Sequence, residues 1–183
     1  MKIVEIPFKG CYIIVPDIFK DHRGFFCESY NEGKYLKSGV YSEHFVQDNI
    51  SFSSYGVIRG LHFQKEPFQQ AKLVSVIQGK ILDVVVDLRK DSATFGQHLS
   101  YELSDENNVQ IFVPKGFAHG FVVLSETAKV FYKCDNYYNK GAEGGIRFDD
   151  PVLKIDWQIP KEDMLLSEKD EVLPLFSFED TYF

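Results

Sequence analysis

Between residues 71 and 134 the chain is cut into short segments rich in β-branched and aromatic residues and separated by turn residues. This spacing narrows the choice of fold more than any other feature. The segments are 71–77, a Gln78-Gly79 turn, 80–88, 109–113, 120–124 and 128–134. Side chains branched at Cβ suit a pleated surface, and short strands at close spacing predict a sandwich or a barrel. Within 80–88 the even positions Leu82, Val84, Val86 and Leu88 share one face, while Asp83 and Asp87 share the other with Val85. In 128–134 the residues Ala128, Val130, Tyr132 and Cys134 share a face, which turns Tyr132 inward among small apolar groups.

The flanks extend the same reading. Residues 11–15 form an apolar strand closed by Pro16-Asp17, residues 24–30 form an aromatic-rich strand, and 32–36 form a short helix. With 183 residues and no repeat, low-complexity tract or linker, the chain reads as one domain over 1–183. Beyond Pro151 it turns irregular, so 151–183 is expected to lie as a tail over the barrel. Phe and Tyr far outnumber Trp and Met, as an all-β fold with short peripheral helices would have them.

A net charge of -7 argues against binding to nucleic acid, so any anionic ligand must be met by a few local cations. Cys11, Cys27 and Cys134 match neither a disulfide framework nor a metal spacing and read as reduced thiols. The start of the chain has neither a leader pattern nor an apolar span. The cytoplasm is the expected compartment, with no membrane partner.

Two segments carry the chemistry. Gly56-Val57-Ile58-Arg59-Gly60-Leu61-His62-Phe63-Gln64, followed by Lys72 and Gly79, has the outline of the first cupin motif. Pro114-Lys115-Gly116-Phe117-Ala118-His119-Gly120-Phe121 matches the PxGxxH core of the second, in which a turn delivers a histidine to the barrel mouth. Together they predict a cupin-type jelly-roll β-barrel. A metal-binding cupin brings further histidine and glutamate ligands, but here Gln64 replaces a histidine and Lys72 lies near the glutamate's place. A cation repels a metal and Gln is a poor ligand, so neither metal nor other cofactor is expected.

His62 is then either a general base or a hydrogen-bonded core residue. Arg59, His62, Lys72, His119 and Tyr132 would converge on one interior, which is costly in a core that only has to pack and therefore favours a functional cavity. The set suits proton abstraction beside a carbonyl: histidine takes the proton, lysine stabilises the enolate oxygen, and tyrosine returns a proton to the opposite face.

The chain also resembles the dTDP-4-dehydrorhamnose 3,5-epimerases. The likeness runs through Asp21-His22-Arg23-Gly24-Phe25-Phe26, Phe45-Val46-Gln47-Asp48-Asn49, Arg59 to Gln64, Asp83 to Arg89, Pro114 to Phe121, Tyr132-Lys133-Cys134 and Leu166-Ser167-Glu168-Lys169-Asp170. The resemblance implies His62 as base, paired with Asp170, with Tyr132 as general acid, Lys72 at the enolate and His119 as a second active-site histidine. It implies substrate contacts at Arg23, Glu28, Gln47, Asp48, Asn49, Arg59, Glu143 and Lys169, with arginines on the diphosphate. Tyr138 offers a stacking face or packs as a surface aromatic.

The same likeness implies a dTDP-sugar substrate inverted at C3 and C5, a place in deoxysugar supply for cell-surface polysaccharide, and a homodimer whose N-terminal strands cross to the partner. Ala71, and Asn139-Lys140, depart from the family's pattern without touching a catalytic position. The rival readings are a relative that inverts only C3 or only C5, a metal-dependent cupin oxygenase, and a non-catalytic sugar-binding jelly roll.

Overall fold

The structure, a computed structural model, describes residues 1–40 and 44–183. The described residues form two antiparallel sheets that face one another, and a two-stranded ribbon. The six-stranded sheet runs in the order β1 (Lys2–Glu5), β2 (Tyr12–Val15), β10 (Gln110–Val113), β7 (Lys72–Gln78), β12 (Thr127–Cys134), β5 (Gln47–Ser54). The five-stranded sheet runs β13 (Glu143–Gly145), β6 (Ile58–Gln64), β11 (Phe117–Val123), β8 (Lys80–Asp87), β9 (His98–Ser104). The ribbon is β3 (Ile18–Asp21) with β4 (Gly24–Cys27). Apart from β1–β2 and β8–β9, neighbours within the two large sheets are not consecutive in sequence, as in a cupin-type jelly roll.

Alternation along the strands builds three apolar layers. Ile13, Val74, Val85, Leu103, Ile111, Phe121 and Val130 fill the space between the sheets. Leu82, Val84, Val86 and Leu88 face away from that space, and the C-terminal segment covers them with Ile146, Leu153, Trp157, Phe176 and Tyr182. Trp157 meets its polar requirement by donating from Nε1 to the Phe148 carbonyl at 2.9 Å. On the far side of the six-stranded sheet, α1 (Glu32–Ser38) buries Tyr35 against Ile14, Leu73 and Phe112. Asn31 caps this helix at its start, and Gly39, with a positive φ, ends it.

Several expected boundaries move. The strand expected at 120–124 begins at Phe117, because Gly116 takes a φ of +90° and turns the chain straight into β11. The strand expected over 24–30 stops at Cys27. Strand β5, absent from the expected segments, closes the six-stranded sheet by pairing with β12 along its whole length. No described helix is long and apolar enough to cross a membrane.

Candidate active site

One end of the space between the sheets is open, and polar side chains replace the apolar filling there. A cleft of about 450 Å³ is lined by Arg59, His62, Lys72, His119, Tyr132, Lys169 and Asp170, with Ser51 and Ser167 beside them. A second hollow of about 320 Å³ shares His62, Lys72 and Tyr132 with it and adds Gln47, Asn49, Tyr138 and Glu143.

The two sheets present different groups. From the five-stranded sheet come Arg59 and His62 on β6 and His119 on β11, the two histidines being direct partners in the register. Arg59 and His62 lie three positions apart and would face opposite ways on a regular strand. The register shifts between them, opposite His119 and Phe121, and this bulge brings both inward. From the six-stranded sheet come Lys72 on β7, Tyr132 on β12, and Gln47, Asn49 and Ser51 on β5.

His62 Nε2 lies 2.6 Å from Asp170 Oδ1, and Asp170 is buried while the imidazole stays 27% exposed toward the cleft. Asp170 arrives on the one-turn helix α2 (Glu168–Glu171), whose cap Ser167 accepts from the Asp170 amide. Burial alone would push the Asp170 carboxyl up, but the hydrogen bond and charge of His62 hold it below the usual range. With Nε2 engaged, Nδ1 is the ring nitrogen left to accept a proton.

Burial pushes the Tyr132 phenol up, so it is a protonated donor at neutral pH. Burial pulls the Lys72 ammonium down from its ordinary value. Arg59 is aimed by donating from Nε to Ser53 Oγ at 3.0 Å. Lys169 bridges to Glu143 at 2.5 Å, and Tyr138 donates to the other Glu143 oxygen at 3.3 Å.

The remaining expected site residues are not brought to the cleft within one chain. Asp48 falls on the outer face of β5, because Gln47 and Asn49 on either side of it point inward, and it pairs with Lys133 at 2.8 Å. Arg23 and Glu28 belong to the ribbon and its exit, paired with Asp21 and with Lys34. Gln64 is buried and spent on backbone: its amide donates to the Phe68 and Tyr137 carbonyls and accepts from the Asn139 amide at 2.6 Å. It ties down the loops around the cleft. The sequence pattern assigns no role to Asp83, Ser51 or Ser167; it places Asp83 only on the face of 80–88 opposite Leu82, Val84 and Val86.

A carboxylate-backed imidazole on one wall and a half-buried phenol on the other form the acid–base geometry of an epimerase built on a jelly roll. The dTDP-4-dehydrorhamnose 3,5-epimerase family model matches residues 5–177. A relative of that name from Methanothermobacter thermautotrophicus is 46% identical over 170 residues, covering 92% of this chain and 91% of its own. The crystal structure of the Elizabethkingia anophelis enzyme of that name superposes with a TM-score of 0.92 at 59% identity, covering 96% of each chain. A Legionella pneumophila epimerase in complex with dTDP-4-keto-L-rhamnose does so with 0.91 at 45% identity, covering 95% of this chain and 92% of that one. The chain belongs to the dTDP-4-dehydrorhamnose 3,5-epimerase family and is an isomerase.

Proposed function

We propose that this chain inverts C3 and C5 of dTDP-4-keto-6-deoxy-D-glucose, giving dTDP-4-keto-L-rhamnose, without metal or cofactor. The observation that carries the reading is the stance of His62, backed by Asp170, across the cleft from Tyr132. His62 Nδ1 takes the proton from the carbon beside the C4 ketone, and Asp170 stabilises the imidazolium that forms. Lys72 donates to the oxygen on which the enolate charge develops. Tyr132 delivers a proton to the opposite face, which inverts the carbon; imidazolium then gives its proton to water and the tyrosinate takes one from water, so that the same sequence serves the second carbon. Gln64 and Lys72 stand where a cupin would hold a metal, which supports acid–base chemistry alone.

Arg59 and Lys169 receive the diphosphate, with Gln47, Asn49, Glu143 and Tyr138 around the nucleoside and sugar. Arg23, Glu28 and Asp48 belong to the substrate site through a homodimer, in which the ribbon of one chain reaches the cleft of its partner. Supporting this are Ile50 and Phe52, which stand 64% and 59% exposed on the outer face of β5, and Phe25 and Phe26 on the ribbon, large apolar side chains that a second copy would cover. The reaction belongs to the cytoplasm and to deoxysugar supply for cell-surface polysaccharide.

NMR of the protein with dTDP-4-keto-6-deoxyglucose in D₂O tests the reading. Deuterium is expected at both C3 and C5 with product of inverted configuration. Exchange at one carbon alone would make it a C3-only or C5-only epimerase, and no exchange would reject the reading.

A further inference from the structure

A second imidazole–carboxylate pair faces the same space. His119 Nε2 lies 2.8 Å from Asp83 Oδ2, and the Asp83 carboxylate is entirely shut off from solvent. Its other oxygen, Oδ1, is buried with no hydrogen-bond partner among the described residues. Such an oxygen is costly unless a positive charge stands near it. Ile81, Val85 and Phe121 pack around this stretch of the inner wall, so an apolar residue would satisfy packing alone.

Lys72 comes from the opposite sheet, and its ammonium forms no hydrogen bond or ion pair among the described residues. Of the groups that line the space with it, His62, His119, Arg59 and Tyr132 bring no negative charge at neutral pH. Cys134, its register partner on β12, has a thiol that burial pushes up to about 11, so it is neutral as well. Asp170 is taken by His62 and Glu143 by Lys169. Asp83 meets His119 through Oδ2 only, and with Oδ1 unpartnered among the described residues it is the anion left to balance Lys72. Its field, together with those of Cys134 and Glu143, opposes the downward pull of burial on the lysine.

We infer that Asp83 is a positioning residue for the epimerisation: it is the buried counter-charge that keeps Lys72 cationic, and it holds His119 with Nδ1 free toward the sugar. This deepens, and rests on, the epimerase reading above. An ammonium must be charged to stabilise an enolate oxygen, and burial in this cavity works against that charge.

Asp83→Asn keeps the shape and removes the charge. Without the carboxylate the ammonium loses its proton at lower pH, so the alkaline limb of the kcat–pH profile should move down by about one unit or more. At mildly alkaline pH kcat should fall by roughly 10- to 100-fold, while calorimetry with dTDP shows affinity within about twofold of wild type. Asp83→Glu, which restores the charge, should return the limb toward its original position. A residue that only held the fold would lower the melting temperature and leave the limb in place, and that result overturns the inference. Should neither variant fold, ¹⁵N NMR of the wild-type lysine side chains decides. Lys72 is expected to be charged at mildly alkaline pH, and a neutral Lys72 there refutes the role of Asp83. Wild-type protein that exchanges no deuterium into the substrate would defeat the epimerase reading itself, whereas an active wild type with an unmoved limb in Asp83→Asn defeats this inference alone.

Discussion

His62 and Tyr132 reach the cleft from different sheets, so on the proposed mechanism their loss has different consequences. His62→Ala removes the group that takes the proton, and in D₂O it should lose both deuterium incorporation and inversion by a factor of about 10² to 10⁴. Tyr132→Phe leaves the base and Lys72 in place, and the enolate is then reprotonated only from the His62 side. Deuterium should enter with retained configuration while inversion collapses. The assignment fails if Tyr132→Phe abolishes exchange as fully as His62→Ala, or if it inverts at the wild-type rate. At this scale the sequence was readable where chemistry and motif coincide, at His62, His119, Lys72 and Tyr132. It was silent on partners brought by the fold: Asp170 lies 108 residues from His62 and looks like one charge among several in an acidic helix, so only the family likeness marked it. Asp83 sits in an apolar strand, and its pairing with His119 depends on which strands become neighbours.

At the scale of the element, β6 shows how a local irregularity sets the site. Gly60 occupies a φ of +135° at the bulge, and a methyl there would stand 2.5 Å from Gly120 Cα and 3.0 Å from the His119 carbonyl oxygen. The two glycines let β6 and β11 close together while Arg59 and His62 both turn inward. Gly60→Ala should therefore destabilise the protein by about 2 kcal/mol or more in urea unfolding, since both the backbone conformation and the inter-strand gap oppose it. A change within about 0.5 kcal/mol would show that the bulge relaxes freely. Strands β7, β8 and β12 were legible because each is a run of β-branched and other apolar side chains between abrupt turns. Strand β5 was not. Its inner face, Gln47, Asn49, Ser51 and Ser53, is polar because it lines the cleft, and its outer face carries Ile50 and Phe52, so the pattern runs opposite to that of a strand packed on a core.

That inversion has its meaning at the scale of the whole molecule. The outer face of the six-stranded sheet carries Ile50, Phe52, Ile77 and Phe131, and the ribbon beside it carries Phe25 and Phe26, all more apolar than a surface facing water requires. Arg23 is on that ribbon, away from the cleft of its own chain, while a diphosphate needs guanidinium groups that the acidic chain supplies sparingly. If the ribbon serves the partner's cleft, Arg23 and His62 of one chain belong to different sites, and complementation can test this directly. Arg23→Ala and His62→Ala chains, each impaired alone at substrate concentrations below KM, are coexpressed so that they pair at random. A mixed dimer then has one site with both defects and one site with neither. Half the dimers are mixed and half their sites are intact, so activity should recover to about a quarter of the wild-type value. If Arg23 acted in its own chain, every site in a mixed dimer would carry one defect and no activity would return. A second variant pair guards the interpretation: Ile50→Asp with Phe52→Asp should yield monomers by light scattering and abolish the recovery, whereas a complemented activity that survives in monomers would refute the shared site.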